Sequence, residues 1–238
     1  MDNLFPWVIK GDRQTFFIFL TPKGEKSMFK GSEIFEKNYD QYCEQIANLD
    51  FSTIIKILGI EQNSSQILIP LLNKTYQVSG KGIADASGNR PDYSICVILA
   101  KYLLLCPDQL HQDTQWVSFK DFKKASHFTN VNFFTSDTEQ VIVKQFAGRL
   151  DDLLKAGKSL GGFQAETDMP YDLSMQFDIL PRISLLLLFN DRDDEFPAQC
   201  TVLFQKHAEW YLDPESLIIT SALLAKGLGN ADQTTKTI

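Results

Sequence analysis

Cysteine and histidine are scarce in this 238-residue chain, and cysteine pairs are absent. The four cysteines lie far apart in the sequence, and none belongs to a CxxC motif: Cys43, Cys96, Cys106 and Cys200. Cysteines spaced in this way do not form the metal motifs built on CxxC, and in apolar surroundings they behave as small hydrophobic residues. The sequence therefore predicts free thiols and a reducing, cytoplasmic location.

The sequence also lacks the motifs that identify an enzyme. Its three histidines, His111, His127 and His207, have none of the HxH, HxxxH or HExxH spacings that are typical of zinc sites. It contains no GxSxG, no P-loop and no GxGxxG that opens a helix. We therefore expect no metal site and no cofactor, and we favour a protein without catalysis of its own.

Basic residues are outnumbered, with 23 Lys and Arg against 30 Asp and Glu, and no basic patch offsets the net charge of −7. Phosphate backbones need a positive surface, so nucleic acid is not an expected partner. The longest apolar helix predicted, near 95–105, falls short of the ~20 residues of a membrane span and is interrupted by Lys101. The first residues lack the pattern of a signal peptide. We expect no membrane partner.

Apolar residues are plentiful, and the part of the chain from 171 to 228 reads as three strands and a helix. The run Ile183–Phe189 is apolar except for Ser184 and is bounded by Pro181 and Asn190. A short bounded run of this kind is typical of a strand buried on both faces. Because helices and antiparallel strands come in blocks, the sequence predicts an α+β fold. Its antiparallel sheet would include this C-terminal three-strand unit, packed against a buried central helix and a C-terminal helix.

Three segments of the chain follow from this pattern. Residues 1–35 form an N-terminal extension, in which 15–20 is predicted to pair with 27–30 as a hairpin. Residues 36–229 form a single α+β domain, and the polar residues 230–238 a loose tail. No repeat and no Gly-, Ser- or Pro-rich linker divides the chain.

Local signals place the elements between these limits. One amphipathic helix is predicted around 35–49, and a short one from Asp50 or Ser52 to Gly59. A hairpin flanks Asn73-Lys74, and Pro70 predicts that its first strand lies at a sheet edge.

Four further signals lie beyond residue 90. A buried helix runs from Pro91 to Leu105, and WVSF at 116–119 is a short strand. Ser136 and Glu139 have capping-box spacing and predict a helix that buries Val143, Phe146, Leu150, Leu153 and Leu154. Asp213 caps the last helix.

The densest charge cluster follows the apolar strand and contains Asp191, Asp193, Asp194 and Glu195. In extended backbone, alternate carboxylates of this turn share a face and could hold Mg²⁺ or Ca²⁺. An EF-hand is excluded because Phe196 stands where its glycine should be. The alternative is a solvated loop that keeps two apolar strands soluble.

Arg182 is the second candidate, because it directly precedes the apolar strand. Its guanidinium is expected at an end of the sheet, where it can bind a small anionic ligand. The alternative is a structural salt bridge to Asp178 or to the acidic turn. The candidate ligand-binding residues are thus Arg182, Asp191, Asp194 and Glu195.

The last third of the chain carries a recognisable pattern, FDILPRISLLLLFNDRDDEFPAQCTVLF followed by YLDPESL. Upstream, ILIPLLNKTYQV, LAKYLLL and WVSFKDF come in the order expected with it. The pattern resembles the signature of the family called domain of unknown function 3786, over about residues 39–228. The resemblance implies a setting in anaerobic bacteria and archaea, near redox or one-carbon metabolism. Some members carry a cysteine-rich iron–sulfur segment, which the four dispersed cysteines here do not match.

Three functions stay open at this point. The first is an accessory or ligand-binding protein without catalysis. The second is a metal-assisted hydrolase built on the 191–195 turn, with Arg182 holding an anion. The third is an interaction module that docks a partner protein through a strand edge or an apolar patch.

Overall fold

The structure is a computed structural model that describes residues 7–11, 14–18, 31–63, 66–122, 134–167 and 170–236. Its strands, in chain order, are β1 Trp7–Gly11, β2 Gln14–Ile18, β3 Glu61–Asn63, β4 Gln66–Leu71, β5 Lys74–Ser79, β6 Gly82–Ala84, β7 Trp116–Ser118, β8 Phe163–Gln164, β9 Leu173–Leu180, β10 Ile183–Asn190 and β11 Gln199–Gln205. Its helices are α1 Gly31–Ala47, α2 Phe51–Leu58, α3 Tyr93–Leu104, α4 Gln140–Phe146, α5 Leu150–Ser159 and α6 Pro214–Lys236. The α+β class is confirmed.

The larger sheet has five antiparallel strands in the order β7-β11-β10-β9-β8. Leu187 of β10 lies opposite Met175 of β9 on one side and Val202 of β11 on the other. Every β10 residue except Asn190 is buried, as expected for a central strand covered on both faces. The predicted three-strand unit, with the apolar run at its centre, is confirmed.

The second sheet has four strands in the order β3-β4-β5-β6, and we call it the smaller sheet. Its strands β4 and β5 form the predicted hairpin. The edge position predicted from Pro70 is wrong, because β4 lies between β3 and β5. The proline is nevertheless tolerated, since β3 pairs only with Gln66 to Leu68 and stops short of it. At the hairpin tip, the amide of Leu72 donates to the carbonyl of Ile179 in β9 at 2.9 Å and joins the two sheets.

Helix α2 has the predicted limits. The Asp50 carboxylate accepts from the amide of Ser52, and Gly59 ends the helix at φ 67°. Helix α3 is the buried central helix, although it begins at Tyr93 and not at Pro91. Side chains of α1 to α6 and of both sheets pack into one hydrophobic core.

The predicted capping box and the helix behind it need correction. Ser136 and Glu139 lie inside a π-helical turn, Thr135–Glu139, that continues directly into α4. Glu139 accepts the amide of Val202 in β11 instead of a first-turn amide. The single helix predicted here is two helices, because the chain turns at Gly148 with φ 76° before α5 begins.

At the C-terminus, the carboxylate of Asp213 accepts from the amide of Ser216 and caps α6 as predicted. The helix continues to Lys236, through most of the segment predicted as a loose tail. At the N-terminus, β2 overlaps the predicted strand 15–20 and pairs with β1. The predicted partner 27–30 lies outside the described residues, so that pairing stays a prediction. The division into 1–35, 36–229 and 230–238 stays a prediction.

Candidate functional site

Arg182 occupies the turn between β9 and β10, and its guanidinium contacts the end of helix α2. Its Nε donates to the carbonyl of Ile57 at 2.9 Å, and Nη2 reaches the carbonyl of Lys56 at 3.5 Å. These carbonyls belong to the last turn of α2, where a cation also complements the helix dipole. The predicted carboxylate partners are therefore wrong, since Asp178 instead accepts from the hydroxyl of Ser184.

The backbone of Arg182 is fixed from two further sides. Its amide donates to the hydroxyl of Tyr102 on α3 at 3.1 Å, and that hydroxyl donates in turn to the carbonyl of Leu58 at 3.0 Å. Burial raises the pKa of Tyr102, so the phenol stays protonated and keeps this donor. The carbonyl of Arg182 accepts from Nε2 of the buried His207 at 3.1 Å.

His207 and Tyr211 also form hydrogen bonds with the loop 106–115. Nδ1 of His207 accepts from the amide of Asp113 at 3.1 Å, and the His207 amide donates to the carbonyl of Asp113 at 3.1 Å. The hydroxyl of the buried Tyr211 accepts from the amide of His111 and donates to its carbonyl, each at 2.9 Å. The loop is therefore held at both its middle and its end.

This loop and the 3₁₀ turn Lys206–Trp210 present an apolar surface to solvent. We call it the aromatic patch and define it as Leu110, His111 and Trp210. The rings of His111 and Trp210 stack with centroids 4.3 Å apart and planes 6° from parallel. Leu110 is 44% and Trp210 46% exposed. A tryptophan left in water on a firmly held framework is typical of a binding surface.

The acidic turn lies at the other end of β10. Asp191 accepts from the amides of Gly148 at 2.6 Å and Arg192 at 2.8 Å, so it anchors the turn to the break between α4 and α5. Asp193 accepts from the amides of Glu195 and Phe196, and these bonds lower its pKa. Asp194 and Glu195 are exposed.

These positions bear directly on the candidate site residues. Arg182 directly precedes the eight-residue β10 and the acidic turn directly follows it, and the strand between them spans about 24 Å at the usual rise. The structure therefore does not bring Arg182 together with Asp191, Asp194 and Glu195. Within the described ranges, no group of three or more His, Cys, Asp or Glu side chains is placed to hold a metal ion. His127 lies outside those ranges.

The four cysteines are free, as predicted. Burial raises the pKa of each thiol, and that of Cys96 rises to about 11. Since the thiolate is the reactive form, none of them has the environment of a nucleophilic cysteine.

A comparison with protein families decides the classification. The model of a domain of unknown function, DUF3786, matches residues 50–227. The chain belongs to the DUF3786 family. The match begins at the residue that caps α2 and ends inside α6, so it includes the larger sheet, the smaller sheet and the aromatic patch. Among curated proteins and among solved structures, the comparisons found no match for this DUF3786 protein.

Sequence reasoning missed the residues that build the aromatic patch. Tyr211 belongs to the segment YLDPESL of the family pattern, and Tyr102 to the buried helix predicted from Pro91 to Leu105, and neither position predicts a support for the patch. A signal was available in His207, Trp210 and Tyr211, because three side chains with polar atoms crowd one short turn. None of the helices in the described part of this DUF3786 protein has the length and apolar character needed to cross a membrane.

Proposed function

We propose that this DUF3786 protein is a cytoplasmic accessory protein without catalysis of its own, and that it binds a partner protein through the aromatic patch. The observation that carries the proposal is the stacked His111–Trp210 pair, left half in solvent on a buried hydrogen-bonded support. In line with the family resemblance, we place the partner in anaerobic redox or one-carbon metabolism.

The energetics of association favour this surface. Tryptophan is enriched among the residues that dominate binding energy, and burying Trp210 with Leu110 removes a large apolar area from water. Ordering a loop on binding costs free energy, whereas loop 106–115 is already held by Tyr211 and His207. The patch is thus pre-organised for contact.

The other two hypotheses have weaker support. The side chains of Arg182 and Asp191 form hydrogen bonds with backbone groups of the protein itself, and the two residues lie at opposite ends of β10. A small-anion site at Arg182, Asp191, Asp194 or Glu195 therefore stays a prediction, as does a metal-assisted hydrolase at the turn. No contact in the described residues favours either one over protein binding.

The test is site-specific photo-crosslinking in a lysate of the organism that makes the protein. The photoreactive residue p-benzoylphenylalanine is placed at Trp210 and, as a matched control, at Phe163, which is 47% exposed on β8. We expect one discrete cross-linked protein from position 210 and none from position 163. Excess parent protein should compete for the product, and excess Trp210→Ala should not.

Two controls keep the result interpretable. Trp210→Ala should melt close to the parent, because the side chain is half exposed and a surface truncation usually costs less than ~0.5 kcal/mol. Equal products from positions 210 and 163, or no competition by the parent, would contradict the proposal.

A further inference from the structure

Phe196 projects from the tip of the acidic turn at the opposite end of β10 from the aromatic patch. It is 63% exposed, more than any other large hydrophobic side chain in the described ranges. An exposed phenylalanine ring keeps apolar area in water, and contact with another molecule would remove that area. Phe196 therefore offers an apolar contact directly beside the carboxylates of the turn.

The turn holds Phe196 in a fixed position. The Asp193 carboxylate accepts from the amides of Glu195 at 2.8 Å and Phe196 at 2.7 Å, and the Asp193 amide donates to the carbonyl of Phe196 at 3.0 Å. The base of the turn is fixed in turn, since the amide of Asp191 donates to Asp172 at 2.7 Å. The ring is presented on an ordered tip, which reduces the entropy lost on binding.

The charges around the ring decide what can contact it. Asp193, Asp194 and Glu195 are exposed and precede Phe196 directly. Guanidinium and ammonium groups are attracted both to the face of an aromatic ring and to carboxylates beside it. A second copy of this chain is a poor fit, because its own net charge is −7.

We propose that the tip Asp193–Phe196 is a second protein-binding surface, and that it takes a segment of another protein in which Arg or Lys flanks apolar side chains. The apolar side chains pack on the Phe196 ring, and the cations pair with the carboxylates. The surface follows the end of β10 that is remote from Arg182, whereas the turn that carries Trp210 contacts Arg182 through His207, so both surfaces can be occupied at once. It depends on Phe196 and not on the proposed function of the patch.

The probe is a phage-displayed library of random 12-residue peptides, selected on the full-length parent. We expect the enriched peptides to contain two or more Arg or Lys residues next to Leu, Met or an aromatic residue. Affinity for synthetic copies of these peptides should fall about tenfold or more in Phe196→Ser. It should also fall in Asp194→Asn/Glu195→Gln and weaken at high salt.

Phe163→Ser is the matched control, because Phe163 is also exposed but has no acidic residue within two positions of it in the sequence. It should leave the peptide affinity unchanged, and all variants should melt near the parent temperature. The proposal is overturned if no peptide is enriched, if the enriched peptides are acidic or neutral, or if Phe196→Ser binds them as well as the parent. A parent dimer that Phe196→Ser abolishes would assign the tip to self-association and overturn it equally.

Discussion

The Nε of Arg182 lies 2.9 Å from the carbonyl oxygen of Ile57, a residue 125 positions earlier in the chain. This contact joins the turn before the central strand to the end of helix α2, which precedes the smaller sheet. The guanidinium thus takes the place of water at carbonyls that a helix leaves unpaired. The residue that was most suggestive of a ligand site has a structural contact.

Replacing Arg182 with Ala should lower the free energy of unfolding by about 1–3 kcal/mol, because a charged donor to a part-buried carbonyl is lost. Denaturant titration measures the loss. Lys144→Ala removes an exposed cation from α4 and should change stability by less than ~0.5 kcal/mol.

The same variant separates this role from ligand binding. A panel of phosphates and small carboxylates is added to the parent and to Arg182→Ala, and melting temperatures are compared. We expect no anion-dependent rise that needs Arg182. A variant as stable as the parent that has lost such a rise would restore the anion site.

Helix α3 should tolerate truncation poorly, because Leu99 and Leu103 are fully buried in the core. Leu99→Ala and Leu103→Ala should each cost about 2–5 kcal/mol of unfolding free energy. Leu110→Ala, at an exposed position of the aromatic patch, is the control and should cost less than ~0.5 kcal/mol. Losses below about 1 kcal/mol for both core variants would mean that the helix is misplaced.

Neutralising the acidic turn should leave stability almost unchanged. In Asp193→Asn/Asp194→Asn, the amide oxygen of residue 193 can still accept the two turn amides, so we expect a change within ~0.5 kcal/mol. Millimolar Mg²⁺ or Ca²⁺ should not raise the melting temperature of the parent. A rise that the double variant loses would favour the metal-assisted hydrolase instead.

Glu139 should make stability depend on pH in a direction opposite to that of an ordinary paired carboxylate. Burial raises its pKa above the unfolded value, although the amide of Val202 partly offsets this. Between those two pKa values the folded protein binds more protons, so the contribution of Glu139 to stability falls as pH rises. Glu139→Gln keeps an acceptor for Val202 and cannot ionise.

The variant should therefore gain stability relative to the parent as pH rises above the unfolded pKa of a glutamate, about 4.3, and the gain should level off above the raised pKa of folded Glu139. Urea titrations of both proteins at several pH values measure this difference. A constant difference across the range would show that ionisation of Glu139 carries no folding penalty.

Local signals in the sequence were sufficient for the elements whose ends they define. Asp50 and Gly59 set the limits of α2, and the run Ile183–Phe189 identified the central strand. They failed at Gly148, because the apolar spacing continues from Phe146 to Leu150 across a turn that only its positive φ reveals. A period of apolar residues records burial, and it does not record whether the backbone stays helical between them.

The aromatic patch was beyond sequence reasoning for a different reason. Its supports join residues that are far apart in the chain, such as Tyr211 and His111, 100 positions away. The contact between Arg182 and Ile57 likewise joins residues that are 125 positions apart in the chain. Propensity and spacing report on neighbours in sequence, whereas these contacts depend on how the finished sheet places its turns.

The bond from the Leu72 amide to the carbonyl of Ile179 has a consequence for how the protein opens. Leu72 takes φ 54°, a conformation that is usual at a hairpin tip but rare for a leucine. The side-chain amide of Asn73 beside it donates to the carbonyl of Ser159 at the end of α5. The smaller sheet cannot swing away without breaking both bonds. Amide protons of β4, β5, β9 and β10 should therefore exchange with deuterium at rates set by one shared opening event.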